Sequence, residues 1–368
     1  MTRKTTTLRG LALSAAFVAC SWSVHAQQLS VTIGMPAPIT GPSANFGDSM
    51  VKGAQIAIDE AKDFKITLEV QDDACDAQQG VNAINKLITD QVNIVIGYHC
   101  SGAALPSLPL LNRAKIPVIV SQALHPSITE QGFAGVFRTI STTAQEAPAA
   151  VKILMDDWGA KSFALIHDNT AVQKNLFEQT IELIEGKGGE VKYQTAITPT
   201  TTEFGVNVAA IVEANPEAVF LVLYYPEAAQ LTKQLIAAGY KGKILQCDAG
   251  VDPNFIQIAG EDIAEKTYFV TQPVTSQFPA AKPFIDAFQA KYNEKPGVLA
   301  AYTFDAVNVG LAAIRKAGST DYDAVVAALK GYSGDHVTGK IEFDEKGQLK
   351  TGVFTTLVVR NGDFVPAE

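Results

Sequence analysis

The sequence predicts an α/β protein of two doubly wound lobes, each a mainly parallel sheet with helices on both faces. Three observations carry that prediction. Short, almost wholly apolar runs alternate with amphipathic stretches of roughly 10–15 residues, as in parallel strands buried on both faces. The alternation forms two blocks, about residues 30–140 and about 145–270. Beyond its N-terminal leader the chain has about 340 residues, more than one hydrophobic core usually serves.

Each element follows from its own pattern. LSVTIGM (Leu29–Met35) reads as a strand, and GDSMVKGAQIAIDEAK (Gly47–Lys62) as a helix with Val51, Ala54, Ile58 and Ala61 on one face. KITLEV (Lys65–Val70) is a strand, and AQQGVNAINKLITD (Ala77–Asp90) a helix aligned on Val81, Ile84 and Ile88. NIVIG (Asn93–Gly97) is a strand; Ser101 to Ala114 is a helix expected to break at Pro106; PVIVS (Pro117–Ser121) is a strand. The unit recurs in FALIHD (Phe163–Asp168), AVFLVLY (Ala218–Tyr224) and KILQCD (Lys243–Asp248), each followed by a helical pattern. PVTSQFPAAKPF (Pro273–Phe284) reads as a crossing segment. Val337–Val365 alternates with period two around glycine turns and predicts antiparallel hairpins closing the domain.

The first residues predict export. Arg3, Lys4 and Arg9 precede the apolar run LALSAAFVAC and then SWSVHA, a secretory signal peptide with cleavage near Ala26. Acylation at Cys20 is the alternative, against which Phe17 three residues earlier fits poorly. The expected product is a soluble periplasmic protein starting near Gln27. Loss of the leader removes three of the 29 basic residues and none of the 38 acidic ones, leaving a net charge of −12. No Lys/Arg cluster suits nucleic acid or a membrane surface, so small molecules and proteins are the expected partners.

Motifs for catalysis are thin. G-x-G-x-x-G, the P-loop, G-x-S-x-G and H-E-x-x-H are all missing. His99, His125, His167 and His336 have no metal-ligand spacing, so neither metal nor cofactor is expected. His99–Cys100 as a base–thiol pair is disfavoured because adjacent residues usually point apart. His167–Asp168 reads as a loop-edge pair lining a cleft. An exported enzyme on this fold is the least favoured class.

Ligands of open α/β sheets collect beyond the carboxyl ends of the strands. Several polar groups fall there. Ser101 begins a helix, where a hydroxyl and free N–H groups suit a carboxylate, though a plain N-cap reads the same way. Asp248 ends KILQCD and suits an ammonium, or else an Asx-turn. Tyr224 and Phe46 offer cleft walls. Cys75 and Cys100 also lie at strand exits, separated by one strand in a 2-1-3 order. A bridge between their loops is compatible with that spacing without being required by it.

IGMPAPITGPSANFGDSMVKGAQIAIDEA, QDDACDAQQGVNAINKL and VIGYHCSGAALPSLPLLNRAKIPVIVSQA resemble the periplasmic leucine/isoleucine/valine-binding proteins of ABC importers. The likeness continues through IHDN, YYPEAAQLTKQLIAAGY, IAGE and FDEKGQLKTG, nearly the whole mature chain. It implies the type I periplasmic binding fold, two lobes joined by three crossings and closing over one ligand. The implied N-terminal lobe is 27–141 plus 274–350 and the C-terminal lobe 142–273 plus 351–368, after the signal peptide 1–26. It implies a Cys75–Cys100 disulfide that leaves Cys247 free, a membrane permease as partner, and a monomer.

Residue by residue, the resemblance implies Ser101 for an α-carboxylate, Asp248 where the family has a glutamate for the α-ammonium, Tyr224 as cleft tyrosine and Phe46 as pocket aromatic. Leu124 stands in place of a backbone-gripping threonine, Gln122 in place of a small residue, and Val172 where a tyrosine is expected. Gln122 and His99 add polar groups suited to an amide or a longer side chain, and Asp248, one methylene shorter than glutamate, implies a wider pocket. The expected ligand is an amino acid, branched-chain or related. An aromatic or small organic acid or amide, or a sensor role without a permease, is the alternative.

Overall fold

The computed structural model describes residues 1–2 and 28–367. The leader's apolar run, Cys20 and the cleavage site at Ala26 lie outside the described residues. Among the described residues, no helix is long and apolar enough to cross a membrane.

Five strands make the first sheet: β1 (Leu29–Ala37), β2 (Phe64–Asp72), β3 (Ile94–Gly97), β4 (Val118–Val120) and β5 (Val136–Arg138), in the order β2-β1-β3-β4-β5. All its pairings are parallel. The strands β3 and β4, IVIG and VIV, are buried throughout, which is why they read as unbroken apolar runs. The second sheet takes β6 (Ser162–His167), β7 (Glu190–Ala196), β8 (Ala218–Val222), β9 (Lys243–Gln246) and β10 (Thr267–Thr271). Of the remaining strands, β11 (Ser333–His336) and β12 (Gly339–Glu342) form a separate hairpin, while β13 (Thr355–Arg360) and β14 (Asp363–Pro366) extend the second sheet. Its order is β14-β13-β10-β9-β8-β6-β7, antiparallel only where β13 and β14 join.

Both sheets thus repeat one winding. In each, the second strand lies on one side of the first and the third on the other, so the chain reverses direction across the sheet at that point. Such switch points open crevices at the carboxyl ends of the strands.

After β10 the chain returns to the first sheet. The helices Lys282–Tyr292 and Ala300–Ala317 bury Phe284, Phe288, Val307 and Ile314 in one core with Ile33, Ile94, Ile96 and Ile119. Gly310 permits this close approach: a Cβ there would lie 2.9 Å from the Ile96 side chain and 3.2 Å from that of Ile94. The second sheet has its own cores, and Phe46, Leu124 and Leu299 pack into one of them although they border the first sheet.

One expectation needs correction. Helix Ser101–Ala114 does not break at Pro106; it runs through both Pro106 and Pro109. Pro106 gives up only the bond to the Gly102 carbonyl, and the Ser107 hydroxyl back-bonds the carbonyls of Ala103 at 2.9 Å and Ala104 at 2.8 Å. The C-terminal alternation forms antiparallel hairpins, as expected. It divides between the β11–β12 hairpin and the β13–β14 pair, which is recruited by β10 through the register Tyr268–Val358 to Thr271–Thr355.

Candidate functional site

One cavity gathers every ligand-contacting candidate. Phe46, His99, Ser101, Gln122 and Leu124 line it from the first sheet's loops, and Tyr224 and Asp248 from the second's. Val172, Gln173, Ala249 and Leu299 complete it. Except for Leu299, all follow the carboxyl end of a strand: Phe46 after β1, His99 and Ser101 after β3, Gln122 and Leu124 after β4, Val172 and Gln173 after β6, Tyr224 after β8, Asp248 and Ala249 after β9.

The loop after β3 is held rigidly. Cys75 and Cys100 form a disulfide with their Cα atoms 5.2 Å apart. The partner loop is ordered by acids: Asp72 Oδ1 accepts from the backbone of Ile39 at 2.9 Å and of Ala74 at 2.9 Å, and Asp73 Oδ1 from Cys75 at 2.9 Å. Tyr98 adopts a left-handed backbone with φ 62°, rare for a bulky residue. Its hydroxyl bonds Ser107 Oγ at 2.6 Å inside the core, which fixes the strained turn from which His99 projects. Among the described cysteines Cys247 is free and buried.

Ser101 is the first residue of helix Ser101–Ala114 after N-cap Cys100. Its Oγ accepts from the His125 backbone N–H at 3.1 Å, which leaves the hydroxyl proton available to a ligand oxygen. The helix N-terminus adds a positive potential at this end of the cavity.

Asp248 stands at the other end. Its backbone N–H donates to Glu146 Oε1 at 3.0 Å, while Glu146 Oε2 is buried with no partner. Burial, and then the neighbouring Asp248 charge, push the Glu146 carboxyl well above the usual range. Burial likewise raises Asp248, to about 7. Ligand atoms of Glu146, Cys247 and Asp248 lie within 4.8 Å of one another, and the Cys247 thiol is raised by burial and by the same acids. Burial and mutual repulsion favour protons or a cation at this end, and no Lys or Arg lines the cavity to supply one.

Between the two ends lies a wall of rings. Phe46 stacks on His99 with centroids 4.1 Å apart and planes 14° apart, and Tyr224 meets His99 edge-on at 6.1 Å. Lobe-to-lobe contacts close the cleft: Tyr225 Oη donates to the Pro42 carbonyl at 2.8 Å, and the Tyr224 hydroxyl lies 3.7 Å from Cys100 Sγ. The cavity volume is about 20 Å³, on the scale of a single water. His99, Gln122 and Leu124 share its lining with Asp248. The pair His167–Asp168 departs from expectation. Neither residue lines the cavity: Asp168 Oδ1 accepts from Thr170 N at 3.0 Å and Thr170 Oγ1 at 2.7 Å to close a turn, and His167 packs on Phe177.

Sequence reasoning missed Gln173, Ala249, Leu299 and Glu146. Glu146 has the one legible signal, an acid in the first turn of helix Thr143–Val151, but that position is ordinarily solvated.

Comparison with known proteins places this geometry. The chain is 32% identical over 365 residues to "Leu/Ile/Val-binding protein homolog 3" of Brucella melitensis, covering 96% of this chain and 98% of that one. The crystal structure of a leucine-binding protein from Thermotoga maritima superposes with a TM-score of 0.86 at 27% identity, over 92% of this chain and 98% of that one. A solute-binding protein from R. palustris, solved with benzoate, shares the fold with a TM-score of 0.84 at 20% identity, over 92% and 95% of the two chains. These relatives are solute-binding proteins rather than enzymes. Residues 30–363 match the family described as periplasmic binding protein, and the chain belongs to that family.

Proposed function

We propose that this chain is the periplasmic substrate-binding protein of an ABC importer, binding an α-amino acid between its lobes and delivering it to a membrane permease. One observation supports the reading above the rest: the cavity is electrically two-ended. Ser101 and its helix N-terminus offer donors at one end, and the Asp248–Glu146 acids offer acceptors at the other. A zwitterion satisfies both ends at once, while neither lobe alone can do so. Closure then turns on the segments near 141/142, 273/274 and 350/351, where the lobes exchange chain.

A branched-chain or related amino acid fits the apolar contribution of Phe46, Leu124 and Leu299. An aromatic or small organic acid is the second reading, favoured by the stacked Phe46–His99 wall. Against it stands the acid pair, which such a ligand leaves without a cation. Thermal-shift and calorimetric screening of the purified protein against amino acids, amides and aromatic acids tests both. A ligand at a hundredfold excess over its Kd adds about 2.7 kcal/mol of apparent stability. If an acid lacking an amine binds tightest, the amino-acid reading falls.

A further inference from the structure

The two nitrogens of the His99 ring are in different situations. Nδ1 lies 3.1 Å from Gln122 Oε1, while Nε2 is buried with no partner. The proton can be assigned from the neighbours. Gln122 Nε2 lies 3.2 Å from the Leu299 carbonyl oxygen and 3.2 Å from Thr303 Oγ1. A carbonyl only accepts, so the amide turns its NH₂ towards Leu299 and its oxygen towards His99. That oxygen in turn requires a proton on Nδ1. In the neutral ring Nε2 is then a bare acceptor. Burial keeps the ring neutral, lowering its pKa to about 4.

The ring is also held in place. It is 8% exposed, stacked on Phe46 and flanked by Tyr224, and it lines the cavity beside Leu124 and Leu299. The cavity lining therefore includes a ring whose Nε2 is an acceptor that no described residue satisfies.

We propose that His99 Nε2 selects ligands whose variable group carries a neutral hydrogen-bond donor, an amide or a hydroxyl, over the hydrocarbon of the same shape. The proposal rests on the amino-acid reading above. A site that hydrogen-bonds a donor rejects the analogue lacking it because its own polar group is left unpaired. A side-chain carboxylate is rejected too, since it brings a second acceptor into a cavity lined by neither Lys nor Arg.

The test uses near-isosteric pairs on wild-type protein freed of bound solute by unfolding and refolding. Calorimetry compares asparagine with leucine, threonine with valine, and asparagine with aspartate. Asparagine and threonine are expected to bind roughly tenfold tighter or more than leucine and valine, with aspartate the weakest. In His99→Leu the order is expected to invert within the first two pairs, while aspartate stays weaker than asparagine because the cavity still lacks Lys and Arg. Nitrogen-15 NMR of the wild-type ring gives a readout that does not depend on a variant folding: the Nε2 resonance shifts on binding asparagine and stays put on binding leucine. Leucine and valine binding as tightly as their partners, an unmoved Nε2 resonance, or an unchanged preference in His99→Leu overturns the proposal and leaves the amino-acid reading intact. If no amino acid binds, both fall.

Discussion

The backbone N–H of Asp248 donates to Glu146 Oε1 at 3.0 Å, so the residue that faces the cavity is tied to an acid hidden behind it. Glu146 is 0% exposed and its second oxygen has no partner, an arrangement that disfavours two negative charges at once. The cationic end of a ligand relieves it.

Removing Asp248 is therefore expected to have a large effect on binding. Asp248→Ala leaves a buried ammonium facing only Glu146, and is expected to cost about 3 kcal/mol, over roughly a hundredfold in Kd. Calorimetry with the best wild-type ligand measures this; an unchanged Kd removes Asp248 from the site.

Binding should depend on pH through the same group. Asp248 must be ionised to hold an ammonium, and its pKa without ligand is raised to about 7. Affinity is expected to be full at pH 8 and to fall as pH drops through 7 towards the lower pKa of the bound state, with protons released on binding at neutral pH. Stability of the unliganded protein runs the other way. A carboxyl raised above its unfolded value near 3.8 contributes fully below that value and loses its contribution as pH rises through about 7. Asp248→Asn should thus stabilise the unliganded protein at pH 8 while weakening binding. Chemical denaturation of both proteins at pH 5 and pH 8 checks the sign.

The disulfide should matter for both stability and binding. Cys75 and Cys100 are 25 residues apart, and closing such a loop stabilises by about 3 kcal/mol in the chain-entropy view. The double variant Cys75→Ser, Cys100→Ser is expected to lose about that much and to bind more weakly, because the bridge steadies the turn carrying His99 and Ser101. Peptide mapping of unreduced protein should find Cys247 as the sole alkylatable thiol of these three, and then only after unfolding.

Tyr225 acts as a latch. Its hydroxyl reaches the Pro42 carbonyl across the cleft at 2.8 Å. Tyr225→Phe removes that bond with the ring in place, and is expected to weaken affinity by about 1 kcal/mol, mainly through faster release. Stopped-flow dissociation that matches wild type would remove the latch from the account.

Much of this was legible in the sequence because parallel strands buried on both faces cannot be anything but apolar. IVIG and VIV announced β3 and β4, and the polar residues just past such runs, Ser101 and Asp248, lie where the sheet edge had to be. The exposed, alternating β7 gave a weaker signal for the opposite reason, and the buried β5 did so because it is three residues long and ends in Arg138. Glu146 was hidden because an acid early in a helix reads as solvated, and only the second lobe's packing buries it. Leu299 precedes helix Ala300–Ala317, far along the chain from the residues it joins, and no local pattern marks it. Pro106 misled because it costs the helix only the bond to the Gly102 carbonyl, which did not end it.

The helix that covers the first sheet has a consequence for how the chain comes into being. A ribosome makes Ile94, Ile96 and Ile119 well before Gly310 and the rest of helix Ala300–Ala317, which seal them. The nascent first lobe cannot reach its final packing while it is being translated, since one sheet face stays without its lid until the message is nearly read. Locking is thereby postponed to the end of synthesis, which would suit the export that the leader sequence predicts. Premature termination anywhere before Ala300 strands both lobes, because the same missing stretch carries the last strands of the second sheet.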